Sequence, residues 1–193
     1  MCSSDLLSEA EIALVRRWIE QGAKNDWQRS SENYSAEHPP TYSRLPTITS
    51  LDFSPDGKTL AVPGNHEVLL LDAQSGQLMR RLIGATPRVE SVRFSPDGMR
   101  LAVAGGLPGE AGELQVWNAV TGDLIFSSFV SHDTIFGASW SPDSKRIVYR
   151  AAHPTDPAEV ERYKDLLAQH LVEPGQLEIF VMNADGSGQR PVT

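Results

Sequence analysis

Histidine, serine and acidic residues are the side chains of this sequence that could carry catalysis, but their spacing argues against it. The chain has five histidines without the short spacings of clustered metal ligands, so we interpret each as exposed or core-satisfied. His132-Asp133 with a nearby serine suggests part of a catalytic triad, but the Gly-x-Ser-x-Gly turn that would expose such a serine is missing. We therefore predict that the chain is not an enzyme, with no catalytic residue. The histidines are His38, His66, His132, His153 and His170.

Other candidate sites are explained more simply by structure. The run from Asn183 to Gly188 has the composition of a calcium loop but lacks the downstream acidic ligands, and a hairpin turn accounts for it. Phe53, Phe94 and Trp140 recur at one position of a repeat, so we interpret them as core anchors rather than a ligand cage. We predict no metal site, no cofactor-binding residue and no cofactor.

Charge and cysteine content exclude further classes. The formal net charge is -8, and no basic cluster exceeds a pair such as Arg16-Arg17 or Arg80-Arg81. Because contacts to phosphates need concentrated positive charge, we do not expect a nucleic-acid partner. The single cysteine excludes a disulfide scaffold.

A short phrase occurs three times, at Phe53–Gly57, Phe94–Gly98 and Trp140–Ser144, each time after an alternating apolar run. In the first two copies Ser-Pro-Asp-Gly favours a type I turn followed by a residue with positive φ, so the phrase predicts a hairpin corner. The third copy ends in Ser144, which accepts a left-handed backbone angle less readily, so a different turn type is expected there.

A second phrase follows each corner, at Glu67–Gly76, Glu113–Gly122 and Glu178–Gly186. In all three a Glu precedes an Asp or Asn by five residues, with apolar residues between them and a glycine-bearing turn after them. This predicts a third strand and its exit turn, and a fourth apolar segment follows. Four antiparallel strands in a unit of about 40 to 45 residues is the period of a β-propeller blade.

These two phrases resemble those of WD-repeat proteins over residues 45 to 193. The Trp-Asp pair of that family occurs only as Trp117-Asn118, and the Gly-His pair is Gly84-Ala85 in the second unit. The family's buried hydrogen-bonded tetrad is therefore expected to be incomplete. The third unit, from Glu178 to Thr193, is similar to the repeat of TolB-type periplasmic propellers.

Two insertions lengthen successive units at the same edge. Residues 105–112 are rich in glycine, which we expect to form an extended loop rather than a strand. The larger insertion, about 151–176, includes a predicted helix from Pro157 to about His170. Since loops at such a rim usually carry recognition, we predict a binding surface there, although tolerated surface decoration fits equally well.

The N-terminal part is of a different kind. Residues 1–6 match the translation of a common sequencing adapter, which suggests a cloning or assembly scar. Residues 7–24 hold a predicted amphipathic helix, Glu9 to Gln21, and residues 25–46 are polar and are predicted to be a linker. The helix resembles the last helix of bacterial cytochrome c-type domains fused to propellers, but the Cys-x-x-Cys-His haem site is missing.

The predicted fold class is all-β: a partial β-propeller of about three four-stranded blades, with one N-terminal and one inserted helix. Residues 47–193 form the incomplete propeller, with blades at about 47–84, 85–130 and 131–193, in a chain that we interpret as a fragment.

The predicted function is a non-catalytic scaffold for a protein partner, attached to a cytochrome c-type domain. The alternative is the substrate-gating propeller of a prolyl oligopeptidase-type serine hydrolase. Localisation is not determined by the residues. The resemblance favours a bacterial periplasm or cell envelope.

Overall fold

The computed structural model describes residues 12–13, 16–17, 34–35, 37–84, 86–108, 111–131, 133–151, 157–169 and 178–192. The chain divides into two compact units, Met1–Asn33 and Tyr34–Thr193. In the first unit the four described residues are helical, as predicted for them. The rest of the predicted N-terminal helix, and residues 1–6, lie outside the described residues.

The second unit contains three antiparallel sheets, each with its four strands in chain order. These sheets, which we call blades one, two and three, confirm the predicted all-β class. Blade one is β1 (Asp52–Phe53), β2 (Thr59–Pro63), β3 (Glu67–Asp72) and β4 (Leu78–Ile83). Blade two is β5 (Val89–Phe94), β6 (Arg100–Leu107), β7 (Ala111–Asn118) and β8 (Leu124–Ser131). Blade three is β9 (Ala138–Trp140), β10 (Arg146–Ala151), β11 (Glu178–Asn183) and β12 (Arg190–Pro191).

Blade two is buried on both faces because its side chains alternate between its two neighbours. Leu101 and Val103 join the core cluster shared with blade one, whereas Ala102 and Ala104 join the cluster shared with blade three. Successive strand residues point to opposite faces, so one strand contributes to both clusters. Each fully buried Leu or Val contributes about 1.5 to 3 kcal/mol through removal of apolar surface from water.

The predicted core role of the recurring aromatics holds for two positions and fails at the third. Phe94 is buried between blades one and two, and Trp140 is partly buried against the cluster between blades two and three. Phe53 is 58% exposed. Its face of blade one lies away from blade two, and the described residues place no further sheet against it. The prediction for Phe53 was therefore wrong, because a preceding blade is what buries this position.

All three corners adopt the same turn, including the one that was expected to differ. The φ angles are 71° at Gly57, 72° at Gly98 and 58° at Ser144. In each corner the serine hydroxyl donates to the aspartate, as from Ser54 Oγ to Asp56 Oδ1 at 2.6 Å. The aspartate also caps an amide two residues later, as from Lys58 N at 3.1 Å. Because this local network is complete without glycine, it holds Ser144 in the left-handed region.

The glycine-rich segment 105–112 was predicted to be a loop, but most of it extends the β6–β7 hairpin. Gly105 pairs with Glu113, Gly106 with Gly112, and Leu107 with Ala111. A Cβ at Gly105 would overlap the carbonyl oxygen of Arg88, and one at Gly112 would overlap that of Asp133. Glycine here permits close approach of the backbone, which composition alone did not distinguish from a loop.

The inserted helix was predicted correctly. It forms α1, Pro157–Ala168, with Glu159 in its first turn. Proline at the first helical position costs no hydrogen bond, and an acidic residue in the first turn complements the helix dipole. The predicted end at His170 lies outside the described residues. Across the described ranges, no helix is both long enough and apolar enough to cross a membrane.

Candidate functional site

The strands of each sheet are antiparallel and follow one another in chain order, so successive connections lie at opposite ends of the sheet. The three blades therefore have two rims, one at each end of their strands. The corner rim carries the Ser-Pro-Asp corners and the exit turns: residues 54–58, 73–77, 95–99, 119–123, 141–145 and 184–189. The insertion rim is where the other connections leave the strands, and the described residues of these connections are 64–66, 84, 86–88, 108, 133–137 and 157–169. Both insertions fall on the insertion rim, as the sequence predicted.

A buried carboxylate lies behind the insertion rim in blade one. Glu67, only 2% exposed, accepts a hydrogen bond from Tyr42 Oη at 2.7 Å and forms an ion pair with Arg81 Nη1 at 2.7 Å. Tyr42 Oη also lies 3.0 Å from the carbonyl oxygen of Asn65. Burial, together with the neighbouring Glu67, raises the pKa of Tyr42 well above its ordinary value. Tyr42 therefore stays protonated and acts as a donor to the carboxylate.

A second buried carboxylate occupies the equivalent position in blade two. Glu113 is fully buried and accepts hydrogen bonds from the hydroxyls of Thr86 and Ser127. Gln115 Nε2 donates to Thr86 Oγ1 at 3.2 Å, and Trp117 Nε1 donates to Gln115 Oε1 at 2.8 Å. These five side chains form one continuous network, which we call the Glu113 network.

The Glu113 network ends at Trp117, the tryptophan of the Trp-Asn pair. Gly84 fits directly over the network, since a Cβ there would lie 2.5 Å from Gln115 Nε2. The tetrad was expected to be incomplete, and the network itself was not predicted. Its signal was the Glu that recurs five residues before each Asp or Asn, a pattern that predicted a strand but not the burial of its first residue. Buried polar groups need such partners, so the network stabilises the rim rather than presenting acid groups to a substrate.

The β8–β9 connection packs against the end of the β6–β7 hairpin. Ile135 is fully buried there, and its amide donates to Gly105 O at 3.3 Å. The next residue, Phe136, is 66% exposed, and Phe129 on the adjoining strand is 59% exposed. Thr134 Oγ1 is buried without a hydrogen-bond partner among the described residues. The insertion rim therefore presents two exposed aromatic rings, next to a backbone that the buried Ile135 and its hydrogen bond to Gly105 hold in place.

Part of the segment predicted as a linker contacts blade one. The rings of Tyr34 and His66 lie 4.9 Å apart, and Pro40 is buried. Tyr42 makes the bond to Glu67 described above. Residues from Tyr34 onward belong to the same compact unit as the blades. The insertion rim of blade one is thus covered by residues that precede the propeller in sequence.

The structure does not bring together those candidate catalytic residues that it describes. His38 is exposed, His66 is half-buried with φ 61°, and Asp133 accepts a bond from Thr134 N at 2.7 Å. His132, His153 and His170 lie outside the described residues. The run from Asn183 to Gly188 spans the β11–β12 turn, where Asp185 accepts bonds from Ser187. Among the described residues, no group of three or more His, Cys, Asp or Glu could hold a metal ion.

Comparison with known proteins identifies the class of repeat. Residues 76–118 match the family model described as WD domain, G-beta repeat. The structure is similar to that titled "Crystal structure of RRP9 WD40 repeats", with a TM-score of 0.57 and 13% sequence identity, covering 78% of this chain and 39% of that one. It is also similar to "Crystal structure of the eukaryotic initiation factor", with a TM-score of 0.53 and 14% identity, covering 78% and 34%. The comparison with curated proteins found no match.

These likenesses establish the fold: three four-stranded sheets that resemble the blades of WD40 propellers. The chain spans 34% and 39% of the lengths of the two solved structures. The family match runs from the exit turn of blade one through β4 and on to the end of β7. One sequence repeat therefore contributes to two sheets, which links neighbouring blades covalently.

Proposed function

We propose that this protein is a non-catalytic interaction scaffold whose insertion rim binds a protein partner. WD40 repeats suggest such a scaffold in general, and the choice of rim rests on one observation. Phe136 and Phe129 expose their rings beside the end of the β6–β7 hairpin, next to a backbone fixed by Ile135 and the Glu113 network. Large aromatic residues on rigid supports are the usual anchors of protein interfaces.

The test replaces Phe136 by a residue that carries a photo-activated crosslinker, in the full chain, and exposes it to a lysate of the source organism. Met99 is the matched control, because it is 57% exposed but lies on the corner rim. We expect a defined protein to be crosslinked from position 136 and not from position 99, and unlabelled wild-type chain to compete for it. Equal crosslinking from both positions would place recognition elsewhere.

We further propose that the scaffold is attached to a cytochrome c-type domain. Support comes from the resemblance of residues 8–23 to the last helix of such domains, and from the helical conformation of the four residues described there. The complete sequence of the locus is the test. A Cys-x-x-Cys-His motif upstream supports this proposal, whereas its absence from a complete upstream sequence contradicts it.

The substrate-gating role in a serine hydrolase is the second candidate, supported by the resemblance of residues 178–193 to the repeat of TolB-type propellers. The same locus sequence tests it: a downstream Gly-x-Ser-x-Gly followed by Asp and His would favour it, and an open reading frame without them would exclude it.

A further inference from the structure

The corner rim has a cleft that the interaction described above does not use. It lies between blades one and two and has a volume of about 430 Å³. Leu70 and Phe94 contribute buried apolar surface to its lining, whereas Met79 and Val120 are 59% and 62% exposed. Arg80 and the corner residues Asp56 and Asp97 complete the part of the lining that matters here. Its size is within the range of about 300 to 1,000 Å³ that is usual for ligand pockets.

We call the boundary between blades one and two the first junction, and that between blades two and three the second junction. The second junction shows which side chain fills the place that corresponds to the cleft. Phe126 of blade two occupies the position in its blade that Arg80 has in blade one, four residues after the exit-turn glycine in each case. The Phe126 ring packs against the core cluster between blades two and three, directly over Gly186. Arg80 covers the equivalent glycine, Gly122, with its Cδ and with the guanidinium atoms Nη1 and Nε. The first junction therefore has a side chain without a ring where the second has a phenyl ring.

The polar groups at the two junctions differ in the same way. Ser144 Oγ accepts a hydrogen bond from Asp97 N at 3.0 Å and ties the corners of blades two and three together. Gly98 occupies the equivalent place at the first junction and has no hydroxyl, so the corresponding bond to Asp56 cannot form. Both the ring and the hydroxyl that close the second junction are replaced at the first.

Arg80 is held in a way that suits an aromatic ligand. Its Nη1 donates to Thr121 O at 2.6 Å and its Nη2 to Val120 O at 3.1 Å. Arg80 is exposed, and hydrogen bonds in the plane of a guanidinium do not block the stacking of a ring on one of its faces. The Met79 thioether also contacts aromatic rings favourably. An aliphatic side chain would use neither group.

We propose that the cleft between blades one and two binds an aromatic side chain, Phe, Tyr or Trp, presented by a segment of a partner protein. The ring takes the place that Phe126 fills at the next junction. This inference rests on the proposed scaffold function only in taking the ligand to be part of a protein. The cleft lies on the corner rim, whereas the proposed scaffold function uses the insertion rim, so one proposal can fail while the other holds.

The test uses the full chain labelled with ¹³C at its methionine methyl groups, titrated with the amides of N-acetyl-phenylalanine and N-acetyl-tryptophan. We expect a saturable ring-current shift at Met79. The methyl groups of exposed Met99 and of buried Met182, which is not among the cleft's lining residues, should not move and so serve as internal controls. N-acetyl-leucine amide should bind about two- to twelvefold more weakly, since ring contacts are worth about 0.5 to 1.5 kcal/mol beyond burial.

The variant Arg80→Phe provides the decisive comparison, because it makes the first junction resemble the second. We expect it to abolish the Met79 shift while leaving the Met182 signal, and hence the fold, unchanged. Arg80→Lys keeps the charge without the flat face and should weaken aromatic binding by several-fold. An unresponsive Met79 in the wild-type chain, equal binding of leucine amide, or unchanged binding by Arg80→Phe would each overturn the proposal.

Discussion

The two junctions between the blades are built from the same repeat but are closed differently. At the junction of blades two and three, the Phe126 ring packs over Gly186, and Ser144 joins the two corners by a hydrogen bond. Trp140 Nε1 adds a bond to Arg93 O at 2.9 Å. At the junction of blades one and two, Arg80 and Gly98 stand at the equivalent positions, and a cleft lies between the corners.

This difference shows how a repeat can keep its fold and still vary its surface. Both junctions share the alternating core residues and the corners, whereas the exit turn at Gly186 is one residue shorter than those at Gly76 and Gly122. The differences sit at the ends of the strands on the corner rim, where a side chain can change without disturbing the core between the sheets. The first junction is consequently more open, and we expect it to tolerate substitutions better than the second.

The largest difference should come from adding one methyl group to each exit-turn glycine. Gly186 and Gly122 have nearly equal φ angles, 86° and 85°, so alanine incurs the same backbone strain of about 1 to 2 kcal/mol at both. A Cβ at Gly186 would overlap the Phe126 ring, whereas at Gly122 it meets the flexible Arg80 stem at 2.5 Å. We expect Gly186→Ala to lower the free energy of unfolding by about 3 to 4 kcal/mol and Gly122→Ala by about 1 to 2. Urea unfolding of the two variants measures the difference, and equal losses would contradict the comparison.

Truncation of Phe126 and of Arg80, the side chains that cover Gly186 and Gly122, should give the next largest difference in stability. Phe126→Ala removes a partly buried ring from the core cluster and should cost about 2 to 3 kcal/mol. Arg80→Ala removes two hydrogen bonds to exposed carbonyls and should cost about 1 kcal/mol. Thermal unfolding of both variants, with Ile125→Ala on the same strand as control, checks the order. A greater cost for Arg80→Ala would show that the first junction depends on its polar bridge.

Two substitutions of Ser144 should separate the contribution of its hydroxyl to stability from the cost of its positive φ angle. Ser144→Ala loses the bond to Asp97 N but keeps a Cβ at φ 58°, so we expect a loss of about 1 kcal/mol. Ser144→Gly loses the same bond and relieves the backbone strain, so the two effects should nearly cancel. Urea midpoints of the two variants measure this. A large loss with glycine would mean that the corner-to-corner bond is stronger than an ordinary hydrogen bond.

The smallest expected effect is a loss of folding stability at low pH. The corner serines Ser54, Ser95 and Ser141 hold the pKa of their aspartates below the ordinary value. A lowered pKa in the folded state adds stability that is present above the unfolded value of about 3.9 and is lost as the pH falls through the folded value. We expect the unfolding midpoint to fall below about pH 4 for this reason.

The same titration compares the junctions. Because Ser144 also lowers the pKa of Asp97, Ser144→Ala should raise the pKa of Asp97 and leave that of Asp56 unchanged. Carboxyl ¹³C shifts followed against pH would show this, and a parallel rise at Asp56 would speak against a local cause.

Residues close together in sequence explain why the strands were predictable. The Ser-Pro-Asp corners and the Asp or Asn exit turns are closed by hydrogen bonds between residues at most five apart, as from Arg100 N to Ser95 Oγ at 2.9 Å. Such bonds do not depend on the rest of the chain, so the corners, and the strands that flank them, follow from the sequence. The α1 helix was predictable for the same reason.

The Glu113 network could not be derived in this way. Its bonds join Glu113 to Thr86 across 27 residues and Gln115 to Thr86 across 29. The repeated Glu was visible in the sequence, but the burial of Glu113 depends on how β7, β8 and the β4–β5 connection meet. The strand pairing of the glycine-rich segment was missed likewise, since the close approach that requires glycine involves Arg88 O of the β4–β5 connection at Gly105 and Asp133 O of the β8–β9 connection at Gly112.

The sequence by itself determined where strands turn, how many strands form a unit, and that three units are present, because turn chemistry and alternating apolar residues act locally. Only the tertiary structure decided that Phe94 is buried while Phe53 is exposed, that two glutamates are buried at one rim, and that a cleft opens beside Arg80. Each of these depends on which blade lies against which, and packing between blades is not encoded in any one repeat.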